Sequence, residues 1–502
     1  MSVKIIHQDT FKTIMSAVNK LVDFVSPTFG PSANKAIIDK QVYRMVVDDG
    51  VQIARDFELD DPAENAVIKV IREVAIKTND RVGDGTTSSM IILRAIMQEI
   101  SKQHFRDGRQ ISEELKKATI EAKDQLLAMM KPISTRQEIE RVARIAYDNP
   151  SVASLIAELL HKVGKEGVVV VEKSNNIDIS SEHTEGLEIN SGYLSPYLIT
   201  DNQRMEAVLD KPSILLTSYR VTNANDLLPI MDKIIKERNK RDFVLIADNV
   251  ESDALATLIV NRLQGKFMGI AIAIPQTEDK KQFLEDIALL TGGTVFTEDK
   301  GNRLDNAEVS QLGQANKVIV RQNKTTIIGA KGSKTLIDAE KNRIRNALSE
   351  NPKDSEKQKL EMRLARLNNG IAVIKVGSPT ETESKALKYK IEDAVNATKS
   401  ALNGGIVCGS GIALSQVKTS SEILNKALQQ PFRQLRENIG VDNIELKPGE
   451  AYNAVTDEKG DYMKVGVIDP VEVLIAGIDS AVSIASMLVT THGILCEIPD
   501  KK

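Results

Sequence analysis

A chain of 502 residues, 41% hydrophobic and 27% charged, has apolar material for several cores and reads as about three domains at roughly 150 residues each. Lys and Arg number 66 against 70 Asp and Glu, so the net charge of −4 excludes a general attraction to nucleic acid or an anionic membrane. Cys408 and Cys496 are the only cysteines, which excludes a disulfide framework or a cysteine-rich zinc site and fits a reducing compartment. Five scattered histidines disfavour imidazole-based metal catalysis, and 4% aromatic residues without tryptophan supply no stacking platform. The N-terminal residues MSVKIIHQDTFKTIMSAVNK lack an apolar core of signal-peptide length, and no stretch approaches the ~20 apolar residues of a membrane span, so the chain reads as cytosolic.

In chain order, Asp9 is a candidate N-cap for a helix carrying Phe11, Ile14, Val18, Leu21, Val22 and Val25, stopped by Pro27. A second helix is predicted from Pro62 to about Asn79, and a third follows Thr86 through Ile100, so the first 130 residues read as mostly helical. GVVVVE (167–172) and IDISSEHTEGLEI (177–189) then read as strands. After Asp210 the types alternate: SILLTS, DFVLIAD, FMGIAIAIP and GTVF as strands, and 224–240, 252–264 and 279–291 as helices. That alternation predicts a parallel-rich α/β domain between about 185 and 370, and 339–367 a charged, solvated helical pair. IAVIKVG is a further strand, 381–402 a helix, and the remainder is helical except for a loop-and-strand patch at 450–470. Helical ends around an α/β middle predict an α/β multidomain protein whose termini build one domain together.

In VGDGTTSSM (82–90), two glycines let backbone approach a ligand, while Thr86, Thr87 and Ser88 open a helix whose free N–H groups attract phosphate. Asp84 between the glycines suits a magnesium ion bridging phosphate oxygens, although a glycine turn with a threonine cap explains the stretch equally well. Thr28-Phe29-Gly30-Pro31 offers another glycine approach, although Gly-Pro turns are common connectors, and Asp48-Asp49-Gly50 reads as a metal ligand or a solvated turn, the turn being favoured when it is taken singly. No Walker A pattern is present, GAKGSKT (329–335) having the wrong spacing, and CGSG (408–411) is no nucleophile elbow.

TFGP at 28, DDG at 48, GDGTTSS at 83, KVGKEGVVVVE at 162, GYLSPYLIT at 192, ALATLIVN at 254, LTGGTVF at 290, AVIKVG at 372, IEDAVNAT at 391 and YNAVT at 452, in this order, resemble the GroEL-type group I chaperonins from about residue 3 to 499. The resemblance implies a helical equatorial domain from both termini (1–131 and 403–502), a hinge-like intermediate domain in two pieces (132–184 and 371–402), and an α/β apical domain (185–370). It implies homo-oligomeric seven-membered rings, one or two, that bind unfolded clients at the apical rim and use ATP with Mg2+, beneath a lid-like co-chaperonin. No nucleic-acid or membrane partner is implied.

Carried over by position, Thr28, Phe29, Gly30 and Pro31 would contact the nucleotide. Asp84, Gly85, Thr86, Thr87 and Ser88 would hold phosphates and magnesium, and Ser410 and Gly411 would lie beside the nucleotide. Asn453, Ala454 and Asp469 would line its adenosine end. Asp393 matches the aspartate that swings onto the nucleotide and activates water, and Asp49 a second catalytic aspartate. Phosphoryl transfer needs charge neutralisation and an aligned water rather than a covalent nucleophile. Tyr193, Tyr197, Leu228, Met231, Leu255, Ile259 and Val260 match positions that grip clients and the co-chaperonin. Periodicity alone leaves helix 252–264 apolar on more than one face, as a fully buried helix would also be; the resemblance favours a partly exposed groove.

The chain also departs from the pattern. Asp48 replaces a usual lysine, which puts potassium dependence in question, and Ser410 replaces the middle glycine of a GGG run. The segment between Gly411 and Asn453 is shorter than in bacterial members, and Phe105 and Arg106 occupy a usually small, flat stretch, so altered ring stacking is expected, a single ring included. The end, CEIPDKK, lacks a flexible Gly-Met tail. Such departures point to a divergent, non-housekeeping copy, as a phage-encoded one acting in host cytoplasm would be. The competing readings are a small-molecule ATP enzyme, for which no polar specificity pocket is visible, and a non-hydrolysing scaffold, against which Asp49 and Asp393 stand.

Overall fold

A computed structural model describes residues 2–6, 9–31, 34–40, 44–47, 49–103, 107–147, 149–164, 167–174, 177–202, 204–275, 279–349, 354–368, 370–441, 444–447 and 449–498. The chain divides into two units, one of residues 1–161 with 385–502 and one of 162–384.

In the first unit the two ends of the chain pair directly: Ser2–Ile6 runs antiparallel to Ile494–Ile498. Neither strand was predicted, since each is five residues long and finds its partner across almost the whole sequence. Around this ribbon pack the helices Thr10–Val25, Pro62–Val82, Thr86–Ser101, Gly108–Met129 and Val471–Val489. The first buries Ile14, Ala17, Val18, Leu21, Val22 and Val25, as its period requires. Asp9 holds the N-cap position, but its side chain makes no capping bond; only its carbonyl accepts, from Thr13 N–H. Asp61 is a full cap for the second helix, accepting from Ala63 and Glu64 N–H ahead of Pro62 at the first turn, and Gly83 ends it in the left-handed region.

Val471–Val489 corrects the expectation that no segment nears membrane-span length. By length and composition this helix is apolar enough to cross a bilayer, but most of it is buried, as in the core helix of a bundle. Two hairpins, Ala36–Asp39 with Arg44–Val47 and Glu450–Asn453 with Glu458–Asp461, and a short pairing of Ile406–Cys408 with Ile468–Pro470 add to the framework that positions the site.

Among its described residues the second unit holds a short parallel pairing of Arg220–Val221 with Asn249–Val250 and two larger sheets. In one, Met268–Ala273, Asp242–Ala247, Ser213–Thr217 and Val295–Phe296 lie parallel in that order, with Gly313–Gln314 antiparallel to Ser213–Thr217. The helices Leu228–Arg238, Ser252–Leu263 and Lys280–Thr291 alternate with these strands, which is the parallel α/β pattern the sequence predicts. Helix 224–240 is shorter than predicted: Ala224–Asp226 is a 3₁₀ turn, and the α-helix starts at Leu228 with Pro229 in its first turn, where a missing N–H does no harm.

The six-stranded sheet is a different case. Its order is Val168–Lys173, Gly370–Val376, Ser180–Ile189, Thr325–Ile328, Lys317–Val320 and Ala207–Asp210, and only the first pair is parallel. The parallel-rich prediction therefore holds for one sheet and fails for the other, whose strands 317–320 and 325–328 join by too short a link for a crossover.

The charged helices Lys334–Ser349 and Asp354–Asn368 are not merely solvated. Ile337, Ile344 and Leu367 enter the core. Asp286, 1% exposed on helix Lys280–Thr291, accepts from Arg363 Nη2 at 2.7 Å and Arg366 Nη1 at 2.8 Å, and Arg363 also reaches Glu340 at 3.1 Å.

Candidate functional site

Three backbone devices converge in the first unit. The first is the turn after helix Thr10–Val25. Ser26–Thr28 forms a 3₁₀ turn, Phe29 N–H donates to Ser26 O, and Thr28 Oγ1 donates to Val25 O at 2.8 Å. Thr28 is buried, so its hydroxyl serves the helix end, and the loop can meet a ligand mainly through backbone. Gly30, at φ +97°, supplies that approach, and the space its side chain would need is filled by Leu435.

The second device is a pair of abutting helix N-termini. Asp49 is the N-cap of Gly50–Asp56, its carboxylate accepting from Val51 N–H at 3.0 Å. A Cβ on Gly50 would overlap the hydroxyls of Thr86 and Thr87, which open helix Thr86–Ser101. The DDG and GDGTTSS segments, 36 residues apart at Gly50 and Thr86, are thus in contact, with two sets of first-turn N–H groups close together. Thr86 and Thr87 are buried; Ser88 Oγ donates to Gly85 O at 2.9 Å.

The third is the Gly83-Asp84-Gly85 turn, in which both glycines are left-handed. Asn396 fills the side-chain space of Gly83, and Val473 that of Gly85. Asn396 lies on helix Glu381–Gly404 one turn beyond Asp393, so the two share a helix face, and Asp393 is exposed. Asp393 thus stands on the helix that covers the glycine turn.

Asp469 closes the arrangement. Strand Ile468–Pro470 pairs with Ile406–Cys408, which brings Asp469 to the backbone N–H groups of Ser410 and Gly411. Ser410 is left-handed at φ 61° without being glycine, an unfavourable geometry that this pair of hydrogen bonds helps hold. Burial, and next the negative charge of Asp84, push Asp469 up to about 7 against those two donors. Asp84 is open to solvent on one side, while protein around the other desolvates its carboxylate and raises it too, with Gly85 N–H opposing.

The charge of Asp84 reaches Asp469, and a cation beside them would relieve both carboxylates. Among the described residues no group of three or more acidic, histidine or cysteine side chains forms a metal cage. That fits magnesium arriving with phosphates, since Mg2+ keeps waters and takes one or two carboxylates plus phosphate oxygens.

The other expected residues divide. Asn453 directs its amide into its own turn: Nδ2 donates to Val465 O at 2.9 Å and Oδ1 accepts from Val455 and Thr456 N–H. Ala454 beside it is half-buried, and Pro31 is exposed. Asp48, Phe105, Arg106 and the last residues of CEIPDKK lie outside the described residues. Asn396, Leu435 and Val473 were missed, although the IEDAVNAT motif places Asn396 three residues after Asp393.

In the second unit, the apolar positions are split by burial. Tyr197 (67% exposed), Leu228 (42%) and Val260 (49%) are at the surface, and Leu263 (67%), not singled out by sequence, joins them. Leu255 and Ile259 are half-buried. Tyr193 and Met231, by contrast, are buried in the core, 9% and 4% exposed. Tyr193 is drawn in because its backbone bridges to Ile272 of the parallel sheet, and Met231 because it shares the inward face of its helix with Leu227, Ile230 and Ile234. Helix Ser252–Leu263 buries Ala254 and Leu258 while Val260 and Leu263 face water, so it is partly exposed rather than internal.

Comparison with known proteins agrees with this architecture. Two crystal structures of the chaperonin gp146 from bacteriophage EL 2 (Pseudomonas aeruginosa), solved in the presence of ATP-BeFx in two crystal forms, match over 99% of this chain and 99% of theirs. Both are 20% identical to it, with TM-scores of 0.69 and 0.62. The family model of the TCP-1/cpn60 chaperonins matches residues 21–499, and the chain belongs to that family.

Proposed function

We propose that this chaperonin is an Mg-ATP-hydrolysing folding machine whose nucleotide lies against the three loops of the first unit. The observation that carries the reading is the meeting of two helix N-termini, at Gly50 and at Thr86–Thr87, beside the carboxylates of Asp84 and Asp469. Phosphates would take the free N–H groups, Gly30 and Gly85 would let backbone approach closely, and Asp84 would hold magnesium, which neutralises phosphate charge. Ser410 and Gly411 would border the nucleotide, with Asn453, Ala454 and Asp469 towards adenosine.

Asp49 and Asp393 would orient and deprotonate the attacking water, in line with the needs of phosphoryl transfer. Family membership, and the ATP-BeFx used with the phage chaperonin, support the nucleotide reading. The five-segment domain plan, a seven-membered ring in one or two layers, a co-chaperonin and a cytoplasmic setting, that of the host for a phage-encoded copy, extend the same proposal. Clients would be held by Tyr197, Leu228, Leu255, Ile259 and Val260.

Asp393→Ala tests the assignment. Turnover should fall at least tenfold while Mg-ATP binding by calorimetry stays within about threefold of wild type, because general-base removal costs roughly 10²–10⁴ in rate. Unchanged turnover would remove Asp393 from the mechanism.

A further inference from the structure

The hydrogen-bond chain that supports the Thr28–Pro31 loop has its direction fixed at both ends. Arg94, on helix Thr86–Ser101, donates through Nη1 to Asp23 at 2.7 Å and through Nη2 to Gln434 Oε1 at 3.0 Å. Arginine has no acceptor, so Gln434 must offer its oxygen there and turn Nε2 the other way, where it donates to Asn438 Oδ1 at 3.1 Å. Asn438 is left with Nδ2 facing the carbonyls of Ser26 and Phe29, both at 2.8 Å, and a carbonyl can only accept. Flipping either amide would break bonds at both of its ends.

Gln434 and Asn438 stand four residues apart on helix Gln430–Ile439, with Leu435 three before Asn438 on the same side, filling the space against Gly30. One helix face therefore grips the loop twice, by a side chain under its glycine and by an amide across two carbonyls.

We propose that Asn438 is a positioning residue for the nucleotide site. It touches no ligand; it bridges the carbonyls on either side of Pro27–Thr28 and so sets where the Phe29–Gly30 backbone lies. The position matters because the Thr28 hydroxyl is already bonded to Val25 O, which leaves backbone geometry as the loop's means of meeting a nucleotide. Through Gln434 and Arg94 the same chain ties this loop to the helix that begins at Thr86, so the two phosphate-facing elements share one support. The inference rests on the nucleotide reading above.

The test uses the full chain in its native assembly. Asn438→Ala should weaken Mg-ATP binding and raise KM together by roughly tenfold, the loss of two hydrogen bonds that water partly replaces, with kcat within threefold. Asn438→Asp keeps the shape but loses both donors, and should weaken binding at least as much at pH 8. Gln434→Ala, which frees the Asn438 amide to turn, should give a smaller loss of about threefold.

Hydrogen exchange at the Phe29 and Asn34 amides, in protein without nucleotide, reads the clamp by itself and should quicken in all three variants. Wild-type KM with unchanged exchange in Asn438→Ala overturns the proposal. So does a lower melting temperature with unaltered nucleotide affinity, which would make Asn438 a packing residue only. If Asn438→Ala fails to fold, Gln434→Ala and Asn438→Asp decide. A wild-type protein that binds no Mg-ATP overturns the nucleotide reading and the positioning role together, while exchange still shows whether the clamp exists.

Discussion

At Gly83, φ +70°, the backbone lies so close to Asn396 that no methyl group fits; at Gly265, φ +65°, nothing stands within 4 Å of where one would be. The two glycines have the same local conformation in different units and differ in what surrounds them. At Gly83, glycine is needed for close approach as well as for a turn, because helix Glu381–Gly404 packs Asn396 against it beside the site proposed for phosphate. At Gly265, the turn after helix Ser252–Leu263 needs only the conformation, and the function proposed for that helix lies in apolar side chains left outside the core. One site is therefore made of backbone and the other of surface, and each should fail in its own way.

The largest effect is expected where the second unit is held by charge. Asp286→Ala leaves Arg363 and Arg366 without their buried carboxylate, a change that typically costs about 3–5 kcal/mol. Urea unfolding should show that loss, while Mg-ATP affinity, proposed to reside in the first unit, stays unchanged; a parallel loss of affinity would break the separation of the two sites.

Next come the glycines. Gly83→Ala combines left-handed strain of about 1–2 kcal/mol with overpacking of about 1–3 kcal/mol and should abolish measurable nucleotide binding. Gly265→Ala carries the strain alone and should lower the melting temperature slightly with nucleotide binding intact. Equal effects at the two positions would mean that the crowding at Gly83 is relieved by movement of Asn396.

The acidic pair gives a smaller, pH-dependent signature. Asp469, raised to about 7 in the fold, is ordinarily near 3.9 in an unfolded chain, so between these values the folded state holds more protons. Its contribution to stability is full below about pH 4 and is lost as pH rises through 7. Nucleotide-free protein should lose about 2 kcal/mol across that window from this group, after allowance for partial exposure, and Asp469→Asn should flatten the difference. Magnesium should oppose the trend, because it stabilises the ionised pair. Identical pH profiles for wild type and Asp469→Asn would show that neither burial nor the charge of Asp84 raises Asp469.

How far the sequence carried these sites follows from their construction. The turns proposed to face phosphate were legible as turns because left-handed glycines and helix-opening hydroxyls leave a mark at fixed spacing, as in GDGTTSS. Their supports were not: Asn438, Leu435 and Val473 act across hundreds of residues through contacts that no local pattern encodes. The parallel sheet was legible from strand and helix alternation, whereas the six-stranded sheet is assembled from strands as far apart as 168 and 376, and its antiparallel pairing could not be read locally. At the apolar face, the family resemblance named Tyr193 and Met231 alongside Tyr197 and Val260. Only tertiary packing separates the first two, in the core, from the others at the surface.

That separation yields the smallest effect on stability and the sharpest contrast with the first unit. Val260 and Leu263 are 49% and 67% exposed on helix Ser252–Leu263, so replacing both with serine removes little buried area, and unfolding should shift by no more than about 0.5 kcal/mol for each. Mg-ATP binding should not change. Capture of an unfolded client, measured by suppression of its aggregation on dilution from denaturant, should nevertheless fall several-fold, since the lost methyl groups are those a client would cover. Met231→Ser makes the reverse case: at 4% exposure its side chain is already covered by the protein, so its replacement should cost about 2–4 kcal/mol in folding, and client capture by the molecules that remain folded should persist. Client capture that survives the double serine change but is lost with Met231→Ser would place the gripping surface inside the present core, and would require the second unit to open before it could hold anything.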